Sequence, residues 1–157
     1  MRIAIGSDEV TPLTDALVAG LRADGHEIAL HGPLAGGDQE WVAASAEVAR
    51  AVAQGRCERG IVCCWSGTGA SIAANKVAGA RAALCADPQT ARMARRYNHA
   101  NVLALSLRLT SPPMGREIVE AFLAEPEGTD DFDRRNVALL GEMETELVRR
   151  PTNGDAL

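Results

Sequence analysis

Short apolar runs alternate along this chain with longer segments in which apolar residues recur every three or four positions. Apolar runs of four to eight residues that are bounded by glycine, proline or charged residues are typical of buried strands. They predict five strands, at residues 2–6, 27–31, 60–64, 80–86 and 101–107. Because predicted strands and helices alternate, we expect a parallel, doubly wound α/β sheet with helices on both faces.

The longer periodic segments predict helices, several of which open with proline in the position that suits it. The predicted helices cover residues 11–24, 40–54, 70–74, 88–97, 112–123 and 134–149. The last helix follows an acidic loop at residues 125–133 and comes after the sheet is complete, so we expect it to pack on a partner subunit. We expect one domain over residues 1–150 and a disordered tail at residues 151–157.

The stretch from Gly60 to Lys76 reads GIVCCWSGTGASIAANK and combines a strand, a glycine turn and a helix start. Such a junction leaves backbone N–H groups pointing into a crevice. Cys64 lies at the junction, where thiolates are favoured, and is therefore a candidate base or nucleophile. The turn lacks the full dinucleotide fingerprint, and Lys76 lies too deep in the helix for a Walker loop. A bare turn without a ligand is the alternative interpretation.

Polar residues follow several of the predicted strands. Asp8 and Glu9 follow the first strand, residues 64–69 the third, Asp87 the fourth and Arg108 the fifth. Ligands of doubly wound sheets bind beyond the carboxyl ends of the strands. We therefore expect an acid, a thiol, backbone amides and an arginine to face one crevice.

Composition excludes several classes of function. The chain has 157 residues, 46% of them hydrophobic, and its formal net charge of −5 offers no basic surface for nucleic acid. No apolar run approaches the ~20 residues of a membrane helix. The first residues lack the basic and apolar regions of a signal peptide. We expect a cytoplasmic protein without nucleic-acid or membrane partners.

The four cysteines are Cys57, Cys63, Cys64 and Cys85, and their spacing matches no metal-ligand pattern. We expect reduced thiols and no metal. Neighbouring residues of a strand point to opposite faces, so Cys63 and Cys64 should face different layers. The cysteines other than Cys64 are interpreted as small buried hydrophobic residues.

Longer strings carry a family resemblance: IAIGSD near the start, SGTGASIAANK in the central stretch, GARAALC from Gly79 and NHANVLA from Asn98. Their order and spacing over residues 1–140 resemble the RpiB/LacAB family of sugar-phosphate isomerases. The resemblance implies a three-layer Rossmann-like fold and a homodimer with two active sites between the subunits. It leaves open whether dimers pair into tetramers. It also implies an enzyme that interconverts aldose and ketose phosphates without a metal or organic cofactor.

The resemblance also implies roles within the central stretch. Cys64 stands where most members carry a cysteine base that moves a proton between C1 and C2, whereas other members use a glutamate at the position of Ala70. Ser66 takes the place of a family threonine that supports the thiolate. Backbone amides would donate hydrogen bonds to the enediolate oxygen. These amides belong to Gly67, Thr68, Gly69 and Ala70.

Four further residues match family positions that contact the sugar or its phosphate. Asp8 matches an aspartate that contacts the sugar, and Asn98 matches an asparagine that reaches in from the second subunit. Arg108 and Arg135 fall where family arginines hold the phosphate, a task that suits a bidentate guanidinium. Solvated surface charge is the alternative interpretation of both arginines.

Three positions depart from the family pattern. Glu9 and Tyr97 stand where the family has histidines, one near the phosphate and one that assists ring opening, and Asp131 aligns near a phosphate arginine. A carboxylate beside a phosphate repels it by roughly 1 kcal/mol or more. A phenol is a poor base near neutrality, although it can donate a proton or a hydrogen bond. His99 either takes over ring opening or is a surface histidine.

Two tryptophans mark a further difference. Trp65 stands next to Cys64 where the family usually has glycine, and Trp41 lies in a helix start that often lines the partner's site. Together they indicate either an altered substrate or ordinary packing.

Two classes of function follow from these observations. The first is an aldose–ketose isomerase with Cys64 as base, acting on ribose 5-phosphate or on a related tetrose, hexose or non-phosphorylated sugar. The second is a catalytically silent family member that binds a sugar or a partner protein. A nucleotide-binding domain lacks its fingerprint in this sequence.

Overall fold

Five strands form one fully parallel sheet, as the apolar runs predicted. The computed structural model describes the backbone of residues 1–149 and the side chains of residues 1–146, so the predicted tail lies outside the described residues. The strands are β1 (Arg2–Ser7), β2 (Glu27–His31), β3 (Arg59–Cys64), β4 (Ala82–Leu84) and β5 (Val102–Ser106). Their order across the sheet is β2-β1-β3-β5-β4.

Six α-helices surround the described sheet, and a short 3-10 turn follows β2 at Gly32–Ala35. The helices are α1 (Pro12–Ala23), α2 (Trp41–Ala53), α3 (Thr68–Ala74), α4 (Pro88–Asn98), α5 (Pro112–Ala124) and α6 (Asp131–Arg149). Side chains of Thr11, Asp87 and Ser111 cap the first turns of α1, α4 and α5. None of the helices in the described part of the chain is long and apolar enough to cross a lipid bilayer.

The helices form two layers, which confirms the predicted three-layer architecture. Alternate strand residues face α1, α4 and α5 on one side of the sheet, where Ile61 and Cys63 pack with Phe122. The other alternate residues face α2 and α3, where Val62 and Cys64 pack with Val48. The two adjacent cysteines therefore face opposite layers, as predicted.

β4 is shorter than the predicted strand at residues 80–86. The side chain of Asn75 takes both backbone groups of Ala82, accepting its N–H and donating to its carbonyl oxygen at 2.8 Å each. Asn101 accepts the Arg81 N–H at 2.8 Å and donates to the Gly79 carbonyl oxygen at 2.8 Å. Because amide side chains occupy these backbone groups, β4 begins at Ala82 instead of residue 80. The backbone groups of Ala82 are then not free to pair with another strand.

α6 begins three residues earlier than predicted. The Asp130 carboxylate accepts the Phe132 N–H at 2.8 Å, and the Asp130 carbonyl accepts the Arg134 N–H at 3.0 Å. The acidic cluster that suggested a linker therefore supplies a helix start, where acidic side chains are favoured.

Candidate active site

Cys64 is the last residue of β3, and it accepts three hydrogen bonds from backbone N–H groups around the turn. Its carbonyl oxygen accepts the N–H of Gly67 at 3.1 Å and that of Leu107 at 3.0 Å. Its sulfur accepts the N–H of Ala70 at 3.4 Å. The Cys64 side chain is 5% exposed, so the thiol lies at the bottom of the turn rather than on the open surface.

The turn requires glycine at position 67. Gly67 precedes the first turn of α3 with a φ of +76°, which a residue with a side chain rarely adopts. A Cβ at this position would lie 2.5 Å from Cδ1 of Leu84 and 2.9 Å from the carbonyl carbon of Leu105. The left-handed turn lets α3 begin beside Cys64, whose sulfur accepts the Ala70 N–H.

The four predicted amide donors are not equivalent. The Gly67 N–H is taken by the Cys64 carbonyl, and the Ala70 N–H by the Cys64 sulfur. The N–H groups of Thr68 and Gly69 have no hydrogen-bond partner among the described residues. Two donors beside the thiol are therefore available to a ligand.

A cavity of about 300 Å³ opens over this turn. Its lining residues are Asp8, Trp41, Cys64, Trp65, Ser66, Thr68 and Gly69. The Trp41 ring packs over the first turn of α3, and a Cβ built on Gly69 would lie 3.0 Å from its Cε3 atom. Glycine at this position lets the indole approach the backbone. The two tryptophans therefore shape the cavity, with Trp65 60% exposed at its rim.

Asp8 brings a partly buried carboxyl group to the same cavity. Burial raises the pKa of Asp8, the negative charge of Glu9 adds to this effect, and the backbone N–H groups of Asp8 and Trp65 partly offset it. The Oδ1 atom of Asp8 is buried without a hydrogen-bond partner among the described residues. Glu9 itself is exposed, donates its N–H to Ser7 Oγ at 3.3 Å and does not line the cavity.

Ser66 and Thr68 line the cavity, whereas Arg108 does not. The hydroxyl oxygens of Ser66 and Thr68 lie 2.6 Å apart and form a hydrogen bond. Arg108 follows β5, is exposed, and donates its N–H to the Trp65 carbonyl oxygen at 3.0 Å.

Ser106 supports the backbone of the site, and the sequence did not point to it. This buried residue ends β5 and donates from Oγ to the Trp65 carbonyl oxygen at 3.0 Å, and the same Oγ accepts the Leu109 N–H at 3.2 Å. Its only signal in the sequence is a serine at the end of an apolar run. Ser106 thus holds in place the backbone that carries Trp65.

The other cysteines have surroundings that keep their thiols protonated. Complete burial raises the pKa of Cys63 to about 12, and burial raises that of Cys85 to about 11. Burial also raises the pKa of Cys57. All four cysteines are unpaired, and Cys64 is the one that lines the cavity beside Asp8.

Tyr97 and Asn98 lie far from Cys64 within one chain. Helix α4 begins near the carboxyl edge of the sheet and runs back along it, so its last residues reach the opposite, amino edge. Both side chains are exposed. Tyr97 lines a second cavity of about 490 Å³ together with the segment at residues 125–130. A single chain therefore does not bring these residues to the Cys64 cavity.

His99 is held at the end of α4 with a φ of +48°. Its Nε2 atom lies 3.1 Å from the Gly128 carbonyl oxygen, and its Nδ1 atom lies 3.7 Å from a carboxylate oxygen of Glu127. The buried Arg95 bonds the same Glu127 at 3.2 Å and the Ala100 carbonyl oxygen at 2.7 Å. These contacts tie His99 to the 125–128 segment, and it does not line the Cys64 cavity.

Arg135 and Asp131 are exposed on α6. The helix packs against α4, and Glu144 on its far part accepts the Gly79 N–H at 2.9 Å. Neither Arg135 nor Asp131 lines the Cys64 cavity within the chain.

Comparisons with known proteins agree with this architecture. The family model described as Ribose/Galactose Isomerase matches residues 3–139. Over 129 residues the chain is 39% identical to ribose-5-phosphate isomerase B of Escherichia coli (strain K12), which covers 81% of this chain and 87% of that protein. It is 46% identical over 82 residues to D-erythrulose-4-phosphate isomerase of Pectobacterium atrosepticum, which covers 52% of this chain and 54% of that protein.

The solved structure of ribose-5-phosphate isomerase B from Clostridium thermocellum matches with a TM-score of 0.86 at 37% identity, covering 94% of this chain and 99% of that chain. Both the sequence and the fold thus agree with the family resemblance over most of the described residues. The chain therefore belongs to the ribose/galactose isomerase family.

Proposed function

We propose that this protein is an aldose–ketose isomerase that acts on a small sugar phosphate through an enediolate, with Cys64 as the base. Its relatives are named as isomerases of ribose 5-phosphate, D-erythrulose 4-phosphate and galactose 6-phosphate. The observation that carries the proposal is the Ala70 N–H donated to the Cys64 sulfur at 3.4 Å beside an open cavity. This hydrogen bond holds the Cys64 sulfur at the cavity, where its thiolate would be the form that removes a proton.

The proposed reaction uses the groups that line the cavity. The Cys64 thiolate removes a proton from the carbon next to the carbonyl of the open-chain sugar and returns it to the former carbonyl carbon, while the hydroxyl proton on the first of these carbons passes to the former carbonyl oxygen. Between these steps the charge lies on the enediolate oxygen, which accepts the free N–H groups of Thr68 and Gly69. Asp8, whose Oδ1 atom lacks a described partner, accepts a hydrogen bond from a substrate hydroxyl.

We further propose a homodimer in which each site takes residues from both chains. Cys64 and Arg108 follow neighbouring strands at the carboxyl edge, whereas Asn98 lies at the amino edge. A second copy would supply Asn98, Tyr97 and the phosphate-binding Arg135 to this cavity. The outer face of α6 presents exposed apolar side chains to a neighbour. They are Phe132, Leu139, Leu140 and Met143.

We place the enzyme in the cytoplasm, because its relatives act on small phosphorylated metabolites. Nothing in this proposal requires a metal or an organic cofactor, since a thiolate and backbone amides supply the base and the oxyanion donors.

The proposal is tested with a panel of aldose phosphates and unphosphorylated aldoses, assayed with the unchanged protein, Cys64→Ala and Cys63→Ala. We expect Cys64→Ala to lower kcat by about 100-fold or more, in line with the loss of a positioned base. Cys63→Ala is the matched control, because its thiol faces the opposite layer. A sugar phosphate that raises Tm without being converted would favour the silent alternative and contradict the proposal, as would an active Cys64→Ala variant.

A further inference from the structure

Ser106 lies directly across the sheet from Cys64. The two residues are register partners at the carboxyl ends of the neighbouring strands β5 and β3. Ser106 follows Val102 and Ala104 at intervals of two residues, and both of these pack in the layer that contains Cys64. Ser106, which is 6% exposed, therefore lies on the side of the sheet that carries the thiol.

The Ser106 hydroxyl joins the two segments that leave these strands. Its Oγ atom donates to the Trp65 carbonyl oxygen at 3.0 Å and accepts the Leu109 N–H at 3.2 Å. Trp65 is the first residue after β3, and Leu109 belongs to the turn after β5 that also carries Arg108. One buried hydroxyl thus bridges the turn of the proposed base and the turn of the arginine.

Backbone hydrogen bonds join the same two segments. The Cys64 carbonyl oxygen accepts the Leu107 N–H at 3.0 Å, and the Trp65 carbonyl oxygen accepts the Arg108 N–H at 3.0 Å. The Trp65 carbonyl oxygen therefore has two donors, a backbone N–H and the Ser106 hydroxyl. Of these two, the hydroxyl is the donor that a substitution removes without altering the backbone.

Arg108 is placed and equipped to hold the phosphate of a substrate. Among the positions within two residues of the carboxyl end of a strand, it is the one occupied by arginine. The ion pairs of arginine among the described residues involve other side chains, and a guanidinium suits a phosphate. The proposed substrate then needs its carbonyl end at Cys64 and its phosphate at Arg108, so the spacing of the two groups must fit it.

We infer that Ser106 is a positioning residue whose hydroxyl fixes the spacing between the Cys64 thiol and the phosphate-binding Arg108. The inference rests on the proposed function, because that function assigns Cys64 to the carbon-bound proton. Ser106 acts through the Trp65 carbonyl and the turn after β5. Loss of its hydroxyl should therefore leave the thiol and the arginine each able to act alone and should impair the reaction that needs both.

The test uses the sugar phosphate that the protein converts fastest and compares Ser106→Ala with Arg108→Ala and Ser111→Ala. It measures kcat/KM, the inhibition constant of inorganic phosphate, and the rate at which iodoacetamide alkylates Cys64 over about pH 6 to 9, read from the mass of the peptide. Inorganic phosphate needs the arginine alone, and alkylation needs the thiol alone. Isomerisation needs both groups at the right spacing.

We expect Ser106→Ala to lower kcat/KM by about 10-fold, while the inhibition constant and the alkylation profile stay within about twofold of those of the unchanged protein. Arg108→Ala should raise the inhibition constant. Ser111→Ala is the matched control, because its hydroxyl caps α5 by accepting the Met114 N–H at 3.4 Å instead of bridging the two turns. It should lower Tm and leave kcat/KM within about twofold.

The inference is overturned if Ser106→Ala leaves kcat/KM unchanged, or if Ser111→Ala lowers it equally. It is also overturned if the inhibition constant or the alkylation profile changes in step with kcat/KM, because the hydroxyl then acts on one group or on the fold in general. Phosphate inhibition that is absent, or unaffected by Arg108→Ala, removes the arginine from the phosphate site and has the same consequence.

Cys64→Ala separates these outcomes from a failure of the proposed function. If Cys64→Ala is inactive and Ser106→Ala behaves like the unchanged protein, the isomerase function stands and the role of Ser106 alone is wrong. If no sugar phosphate is converted, or if Cys64→Ala remains active, the proposed function fails and the inference fails with it.

Discussion

Asp8 lines the cavity at a position where its ionised carboxylate lowers the stability of the folded chain. Its Oδ1 atom is buried without a described partner, and burial raises the pKa of the carboxyl above its ordinary value of 3.8. The folded chain therefore holds the Asp8 proton more tightly than the unfolded chain does. A carboxyl group kept in such surroundings is typical of a functional site rather than of a stabilising one.

The variant Asp8→Asn tests this interpretation with two measurements. Ionisation of Asp8 favours unfolding as the pH rises from the ordinary carboxyl range through the raised pKa, so the amide should increase Tm at about pH 7. This advantage should disappear below the ordinary value of 3.8, where both states are protonated. The same variant should lower kcat/KM by about 10- to 100-fold through a lost charged hydrogen bond. A lower Tm at neutral pH would show that burial does not disfavour the carboxylate.

The turn between β3 and α3 contains two glycines, and each is required for a different physical reason. Replacing each in turn by alanine distinguishes the two reasons. Gly67→Ala places a Cβ on a residue with a φ of +76° and against Leu84, so we expect a loss of about 1–3 kcal/mol in the free energy of unfolding. Gly69→Ala crowds the side chain of Trp41 but gains roughly 1 kcal/mol of helix propensity, so stability should stay near that of the unchanged protein.

The two expectations are tested by denaturant unfolding of both variants and by measuring their kcat/KM. Gly69→Ala should lower activity with little change in stability, because its Cβ displaces the Trp41 ring that lines the cavity. Equal destabilisation by the two substitutions would contradict the assignment of backbone strain to Gly67 alone.

Strands, helices and the cysteine turn could be predicted from the sequence because each rests on local patterns. Apolar runs, proline and threonine starts, and the break after Cys64 act within a few residues. The late start of β4 could not be predicted in this way, because Asn75 and Asn101 act on backbone groups up to 22 residues distant. The start of α6 was wrong because Asp130 caps a helix where its neighbours suggested a linker.

Side-chain partners in the candidate site were harder to predict than its position. His99 had two open interpretations, and its contact with the Gly128 carbonyl spans 29 residues. The division of the amide donors between Cys64 and a ligand also depends on the turn geometry. Nothing in the residue types indicates that Gly67 and Ala70 are occupied while Thr68 and Gly69 are free.

The parallel topology of the sheet separates two groups of candidate residues. Strands β1, β3 and β5 end at one edge, which collects Asp8, Cys64 and Arg108. Helix α4 returns to the other edge and carries Asn98 there. In the proposed homodimer, a complete site needs two chains arranged so that opposite edges meet, as a two-fold axis allows.

Mixing two inactive variants tests that arrangement. If each site combines Cys64 of one chain with Asn98 of the other, a mixed dimer of Cys64→Ala and Asn98→Ala has one site with both changes and one with neither. Random reassociation of equal amounts should then restore about a quarter of the full activity. The control pairs Cys64→Ala with Arg108→Ala, which lie at the same edge of one chain, so each mixed site keeps one defect and activity should stay low. Equal recovery from both mixtures, or recovery from neither, would show that the two edges do not meet in one site.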